Sequence, residues 1–401
     1  VALGPGGSGL IRPEAILSAS PLLIACLGWV GLMIGFQGRW ELLQRLPRGI
    51  LTIVAADAAA TVCVIGTIAV FTLMLWTGWS QPWPRLIVPT ALLVSASLGW
   101  AMETRSFTGA KAPAARPVAL AIRLTGGLSA IGAIVILGIA VSFVGRGSHP
   151  ILLSGSEAAG TPGAWTEVVF TRWAGVGNLL LVAALAALTA LIGRFAIGAA
   201  ASASGAQGSG GDQLAVFLGL VTLAAGLAAQ LGASPLLSAM VTGLVIANIS
   251  TPHLLGFERF IIKAEHILAV LIFLLAGLLL NPRISWAEVF IAGAVALARA
   301  AYKPWLFAGG FARLHAAGEH GAASAPGGSA GILRFGCNRQ SPVAAPLALS
   351  VVLLDPSEFH RSLLTIVVLI GLFSALLAIT FSAWRRRMSA RPGASVVEGA
   401  S

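Results

Sequence analysis

Long apolar runs alternate with short polar connections over almost the whole chain. A helix that crosses the hydrocarbon core of a bilayer needs about 20 predominantly apolar residues. The pattern therefore predicts an all-helical polytopic membrane protein. We assign a spanning helix to each of eleven runs, at roughly 15–36, 50–77, 84–102, 124–145, 173–196, 213–231, 235–250, 260–281, 286–312, 330–354 and 362–384.

Two of the predicted spans are weak. The run 235–250 is short, and two arginines and two prolines interrupt the run 330–354. Irregular or polar backbone is tolerated at membrane depth only where protein or a water-filled cavity covers it. We therefore expect both elements to be short or broken and to lie inside the bundle.

A stretch rich in Gly, Ser and Ala, 198–212, separates the spans into two groups. This composition is typical of a flexible linker. We expect a first membrane bundle over 1–197, a second over 213–384 and a cytoplasmic tail over 385–401.

Composition excludes a soluble globular protein. Of the 401 residues, 57% are hydrophobic and 10% are charged, whereas soluble chains carry about 25% charged residues. The formal net charge of +11 would indicate nucleic-acid binding in a soluble chain, but here the basic residues are spread over short connections, so no nucleic-acid partner is expected.

The sequence lacks the common motifs of soluble enzymes and of cysteine-based sites. The three cysteines have no CxxC spacing, which argues against a disulfide framework or a zinc site. The sequence also lacks the Walker A, HExxH and GxSxG motifs. We therefore expect that the protein is not an enzyme and has no catalytic residue, no cofactor and no bound metal.

The distribution of Lys and Arg predicts the orientation. Fifteen of these residues fall in one set of alternating connections and the tail, and six fall in the other set. Basic residues accumulate on the cytoplasmic side of membrane proteins. The sequence therefore predicts a multi-pass protein of the cell membrane with a cytoplasmic C-terminus.

Ionisable residues inside the predicted spans are candidates for function, because a charge at the centre of a membrane helix costs at least about 2.5–3.5 kcal/mol. Asp57 lies seven residues into its span. Arg299 and Lys303 are spaced i, i+4 and so share one face of the helix 286–312. Glu265 lies in the first turns of its helix, where snorkelling toward the headgroups is the simpler explanation.

These residues also have structural explanations. Asp57 could be the buried partner of a base on another helix, and Lys303, which precedes Pro304, could lie near a helix end and snorkel. Arg299 and Lys303 without a carboxylate would form a cationic centre that suits an anionic substrate. A carboxylate within hydrogen-bonding reach of either base would instead favour structural pairing.

Six stretches, in this order and spacing, resemble the cation/proton antiporter superfamily, which includes sodium/proton exchangers and Kef-type potassium/proton antiporters. They are LGPGGSGLI (3–11), LGWVGLMIGFQGRWELLQR (27–45), LAAQLGASPLLSAMVTGLVIANI (227–249), FLLAGLLLNPR (273–283), ALARAAYKPW (296–305) and RQSPVAAPLALS (339–350). The resemblance implies a fold of two inverted repeats, with two broken helices that cross at mid-membrane, here 84–102 and 330–354. It also implies that the chain lacks the family's first span and begins within the second.

The resemblance implies a secondary transporter in the lipid bilayer that exchanges a monovalent cation, sodium or potassium, for protons, and it allows a homodimer. The family's ion-binding acid of the sixth span is replaced here by Ile131 and Gly132. The family's "TSP" element is replaced by SASL at 95–98, which keeps two hydroxyls. The transport-site candidates are Arg299, Lys303, Asp57, Ser95, Ser97 and Gln340.

The sequence is also compatible with other functions. The main alternative is a non-transporting or anion-handling relative that keeps the antiporter fold but has lost the ion-binding carboxylate. A membrane-embedded enzyme would need a buried cluster of His or acidic residues, and the six histidines are scattered. A channel would need a filter-like motif, and none is present.

Overall fold

The computed structural model describes residues 19–44, 48–78, 84–99, 115–144, 167–203, 210–249, 268–280, 284–316 and 340–389. Within these ranges the chain is helical and contains no strands. The helices, in chain order, are α1 (Ser20–Gln37), α2 (Trp40–Gln44), α3 (Arg48–Thr77), α4 (Pro84–Leu98), α5 (Ala115–Val144), α6 (Glu167–Ala203), α7 (Gly210–Gln230), α8 (Pro235–Asn248), α9 (Leu268–Leu279), α10 (Trp286–Ala316), α11 (Ala344–Leu354) and α12 (Glu358–Ser389).

Five of the described helices are long and apolar enough to cross a membrane, which supports the prediction of a multi-pass membrane protein. These are α1, α3, α5, α6 and α12, over the segments Ser20–Gln37, Gly49–Thr77, Thr125–Phe143, Gly175–Ala196 and Glu358–Phe381. Five further apolar helices are shorter, with 10–17 residues each in the described part of the chain. Of the eleven predicted spans, five therefore meet both requirements, length and apolar composition, within the described residues.

The short run at 235–250 forms the 14-residue helix α8, which lies inside the bundle as predicted. Ser234 caps its start by accepting a 3.3 Å hydrogen bond from the amide of Leu237, and Pro235 occupies the first helical position. Both features favour helix initiation. The helix packs directly on α1, where a side chain at Gly35 would collide with the main-chain oxygen of Met240.

Helices α3, α4, α10, α11 and α12 surround the candidate residues. Helix α4 packs against α3, α5 and α11, while α10 packs against α3 and α12. Every described residue in the last two turns of α4 is buried. Residues 100–102 and 330–339 lie outside the described part of the chain, so the two broken crossing helices and the inverted repeat stay predictions.

The linker predicted at 198–212 is partly helical. Helix α6 continues to Ala203, and α7 begins at Gly210. The stretch that follows Gly198 is rich in Ala, the residue with the highest intrinsic helix propensity, and can therefore extend the helix. The residues between the two helices, 204–209, lie outside the described part of the chain.

Helix α10 has a defined start and two exposed tryptophans. Ser285 and Glu288 form a capping box, in which the amide of each residue donates a 3.2 Å hydrogen bond to the side chain of the other. Trp286 and Trp305, which are 88% and 82% exposed, lie 19 residues apart, or about 28 Å at 1.5 Å per residue. That distance is close to the thickness of the hydrocarbon core, about 30 Å, whose boundaries favour tryptophan.

Candidate functional site

Asp57 on α3 and Lys303 on α10 form a buried ion pair. Lys303 Nζ lies 3.3 Å from Asp57 Oδ2, and the two side chains are at most 1% exposed. A buried charge is tolerated when an opposite charge and hydrogen bonds compensate its desolvation. The structural explanation for Asp57, a partner to a base on another helix, therefore matches the structure. Lys303 is thus paired with a carboxylate. Without a carboxylate, Arg299 and Lys303 would have favoured an anionic substrate.

Arg299 and Lys303 cap the C-terminus of α4. Arg299 Nη2 donates a 2.8 Å hydrogen bond to the carbonyl of Gly99, and its Nη1 lies 3.5 Å from that of Ala96. Lys303 Nζ donates a 3.0 Å hydrogen bond to the carbonyl of Leu98. The last carbonyls of a helix lack intrahelical partners and carry partial negative charge. Both bases therefore point into the bundle and donate hydrogen bonds to the C-terminal end of a helix.

The start of α11 meets the same end of α4. Gln340 Nε2 donates a 3.3 Å hydrogen bond to the carbonyl of Ala96, and the amide of Ser341 donates one of 3.3 Å to the carbonyl of Gly99. A Cβ atom on Gly99 would lie 2.7 Å from the Cβ atom of Ser341. The two segments therefore approach this closely because residue 99 is glycine. We call Asp57, Arg299, Lys303 and the carbonyls of residues 96, 98 and 99 the charged centre.

Ser95 and Ser97, near the end of α4, are buried, with exposures of 1% and 0%. Neither hydroxyl has a hydrogen-bond partner among the described residues, and the same holds for Asp57 Oδ1. A buried polar atom without a partner costs about 1–3 kcal/mol, so such atoms in native proteins usually bind water or an ion. These three oxygens could bind water or an ion.

Two residues of the site were missed in the sequence, Thr61 and Tyr302. The oxygens of their hydroxyl groups lie 2.6 Å apart, and Thr61 Oγ1 also donates a 2.6 Å hydrogen bond to the main-chain oxygen of Asp57. Two signals could have found them. Thr61 follows Asp57 by four residues, and Tyr302, the chain's one tyrosine, lies between Arg299 and Lys303 on α10.

Two further positions, Glu265 and Gly132, were discussed as parts of a transport site. Glu265 lies outside the described residues. Gly132, at the place of the family's missing acid, faces the end of α4, because a Cβ atom there would lie 3.3 Å from Leu98 Cδ2. The position is thus next to the charged centre without contributing a charge to it.

No protein-family model matches the chain, and no curated protein matches it. The resemblance to the cation/proton antiporter superfamily therefore stays a hypothesis. Within the described ranges, no group of three or more His, Cys, Asp or Glu residues could hold a metal ion.

Proposed function

We propose that the protein is a secondary transporter of the cation/proton antiporter type, which exchanges sodium or potassium for protons across a cell membrane. The observation that carries this proposal is the buried pair of Asp57 and Lys303 at the C-terminus of α4. An ionisable residue inside a membrane bundle indicates a transport or proton pathway by default. Asp57 is the group that we propose to bind cation and proton in turn.

Competition for the carboxylate of Asp57 would couple the two ions. Lys303, a proton and a metal cation each neutralise the same negative charge, so only one of them is favoured at a time. Asp57 Oδ1 has no hydrogen bond within the described part of the chain, and an incoming ion can contact it before Lys303 moves away. Transporters commonly hold Na⁺ or H⁺ at half-helix C-terminal ends and unwound backbone carbonyls, and the C-terminal end of α4 lies beside the ion pair.

A second candidate function is that of a non-transporting relative with the same fold. The favouring observation is that both bases and Asp57 already have protein partners in the charged centre. Such a centre would stabilise the end of α4 without any ion. An anion-handling role has less support, because Lys303 and Arg299 already donate hydrogen bonds to carbonyls and to Asp57.

The test is exchange in proteoliposomes. The purified protein is reconstituted with a pH-sensitive dye inside the vesicles, and sodium or potassium gradients are imposed. We expect cation-driven proton movement that is lost in Asp57→Asn and kept in Glu41→Gln, which removes an exposed acid of α2. Exchange that persists in Asp57→Asn would contradict the role of Asp57. A folded wild-type protein that exchanges neither cation would contradict the proposal and leave the non-transporting and anion-handling alternatives.

A further inference from the structure

A second polar contact joins α3 and α10 beside the ion pair. Tyr302 precedes Lys303 on α10, and Thr61 follows Asp57 by one helical turn on α3. The hydroxyl oxygens of Tyr302 and Thr61 lie 2.6 Å apart. Thr61 is fully buried, and Tyr302 is partly buried. Two adjacent residues of α10 therefore interact with Asp57 on α3. Lys303 pairs with its carboxylate, and Tyr302 is linked to Asp57 through Thr61.

The direction of the hydrogen bonds follows from counting protons. Thr61 has one hydroxyl proton, which it donates to the main-chain oxygen of Asp57 at 2.6 Å. The proton in the bond between Thr61 and Tyr302 must then come from the phenol. The chain runs from Tyr302 to Thr61 to the carbonyl of Asp57, and hydrogen bonds linked in this way strengthen one another.

We infer that Tyr302, acting through Thr61, is a positioning residue that holds Asp57 within reach of Lys303. When a proton or a cation occupies the carboxylate, the ion pair is lost, but the chain through Thr61 carries no formal charge and persists. Helices α3 and α10 then keep their register, and Lys303 can return to Asp57. The inference deepens the proposed function and rests on it for its effect on transport.

The kinetic test uses Tyr302→Phe, which removes only the phenolic oxygen. With Asp57 held less firmly, Lys303 competes less well for the carboxylate, so a bound cation is held more tightly and released more slowly. We expect the half-saturating cation concentration and the maximal exchange rate both to fall about 2- to 10-fold, the factor that corresponds to one net hydrogen bond. Unchanged values of both would overturn the inference.

Threonine variants provide the matched controls. Thr61→Val should reproduce the effect of Tyr302→Phe, and Thr61→Ser, which keeps the hydroxyl, should restore wild-type kinetics. Thr67 makes the same type of bond to its own helix, 2.6 Å to the carbonyl of Cys63, but is exposed. Thr67→Val should therefore exchange ions like the wild type. An equal effect of Thr67→Val, or a Thr61→Ser variant that behaves like Thr61→Val, contradicts the inference.

Thermal unfolding in detergent tests the same contact without transport. Asp57→Asn and Tyr302→Phe each remove one polar link between α3 and α10. We expect the double variant to lose more in melting temperature than the sum of the single losses, because each link limits the damage when the other is lost. Residues that interact in this way are not additive in stability. If the double variant shows this excess loss but the wild-type protein exchanges no cation, the proposed function alone is refuted. Exchange with strictly additive losses would refute the positioning role alone.

Discussion

Gly35 of α1 faces the main-chain oxygen of Met240 on α8 so closely that a Cβ atom at residue 35 has no room. The same interface has the reciprocal contact, because a side chain at Gly243 would collide with the carbonyl of Leu32. Small residues at helix interfaces allow this approach of backbones in membrane proteins. The two helices are thus packed main chain against main chain, which accounts for the burial of the short helix α8.

The contact at Gly35 predicts that Gly35→Ala destabilises the protein. The added methyl group meets backbone atoms of α8, which cannot rotate away, and such overpacking costs about 1–3 kcal/mol. The loss is measured as a lower melting temperature in detergent. Gly226→Ala in α7 is the control, because a Cβ atom there meets nothing within 4 Å. That variant should be neutral or slightly stabilising, since Ala favours helix.

Removing one charge of the buried pair should be worse than removing both. Asp57→Asn leaves Lys303 without its carboxylate, and breaking a buried pair in this way costs about 3–5 kcal/mol. The double variant Asp57→Asn/Lys303→Met contains neither charge and should regain part of that stability. Denaturation of Asp57→Asn, Lys303→Met and the double variant in the same detergent measures the difference. A double variant less stable than both single variants would contradict the pairing.

The contact between Gly99 and Ser341 predicts a compensating pair of substitutions. Gly99→Ala places a methyl group 2.7 Å from the Cβ atom of Ser341, which should push the start of α11 from the end of α4 and lower both stability and exchange. Ser341→Gly removes the obstructing atom. Gly99→Ala/Ser341→Gly should therefore be more stable than Gly99→Ala alone. Melting temperature and vesicle exchange of all three variants test this, and equal stability of the two Gly99→Ala proteins would refute it.

Arg299 should not be replaceable by lysine. Its two terminal nitrogens reach the carbonyls of Ala96 and Gly99 together, and a lysine ammonium lacks this planar fork. Arg299→Lys keeps the charge but should lower the melting temperature and the exchange rate. Arg194→Lys, an exposed position on α6, is the control and should leave both quantities unchanged. Wild-type values in Arg299→Lys would mean that charge alone is sufficient.

The sequence identified the charged residues well, because isolated charges are conspicuous in apolar runs. The positions of Asp57, Arg299 and Lys303 followed from hydropathy and spacing. That these residues meet one another did not follow, since Asp57 and Lys303 are 246 positions apart and periodicity specifies a helix face but not its neighbour. Thr61 and Tyr302 were missed for a related reason. A hydroxyl inside an apolar helix usually bonds to its own backbone, and only tertiary structure shows a second partner.

The depth of the charged centre has an electrical consequence. Lys303 lies two residues before Trp305, and 17 residues separate it from Trp286, or about 26 Å along the helix. Asp57 is similarly 19 residues from Trp76, near the far end of α3. If an ion binds Asp57 as proposed, and Trp286 and Trp305 mark the boundaries of the hydrocarbon core, an ion arriving from the side of Trp286 would cross most of the membrane voltage, worth about 2.3 kcal/mol per charge for each 100 mV. An ion arriving from the side of Trp305 would cross little of it, so occupancy of the proposed site from the two sides would respond unequally to voltage.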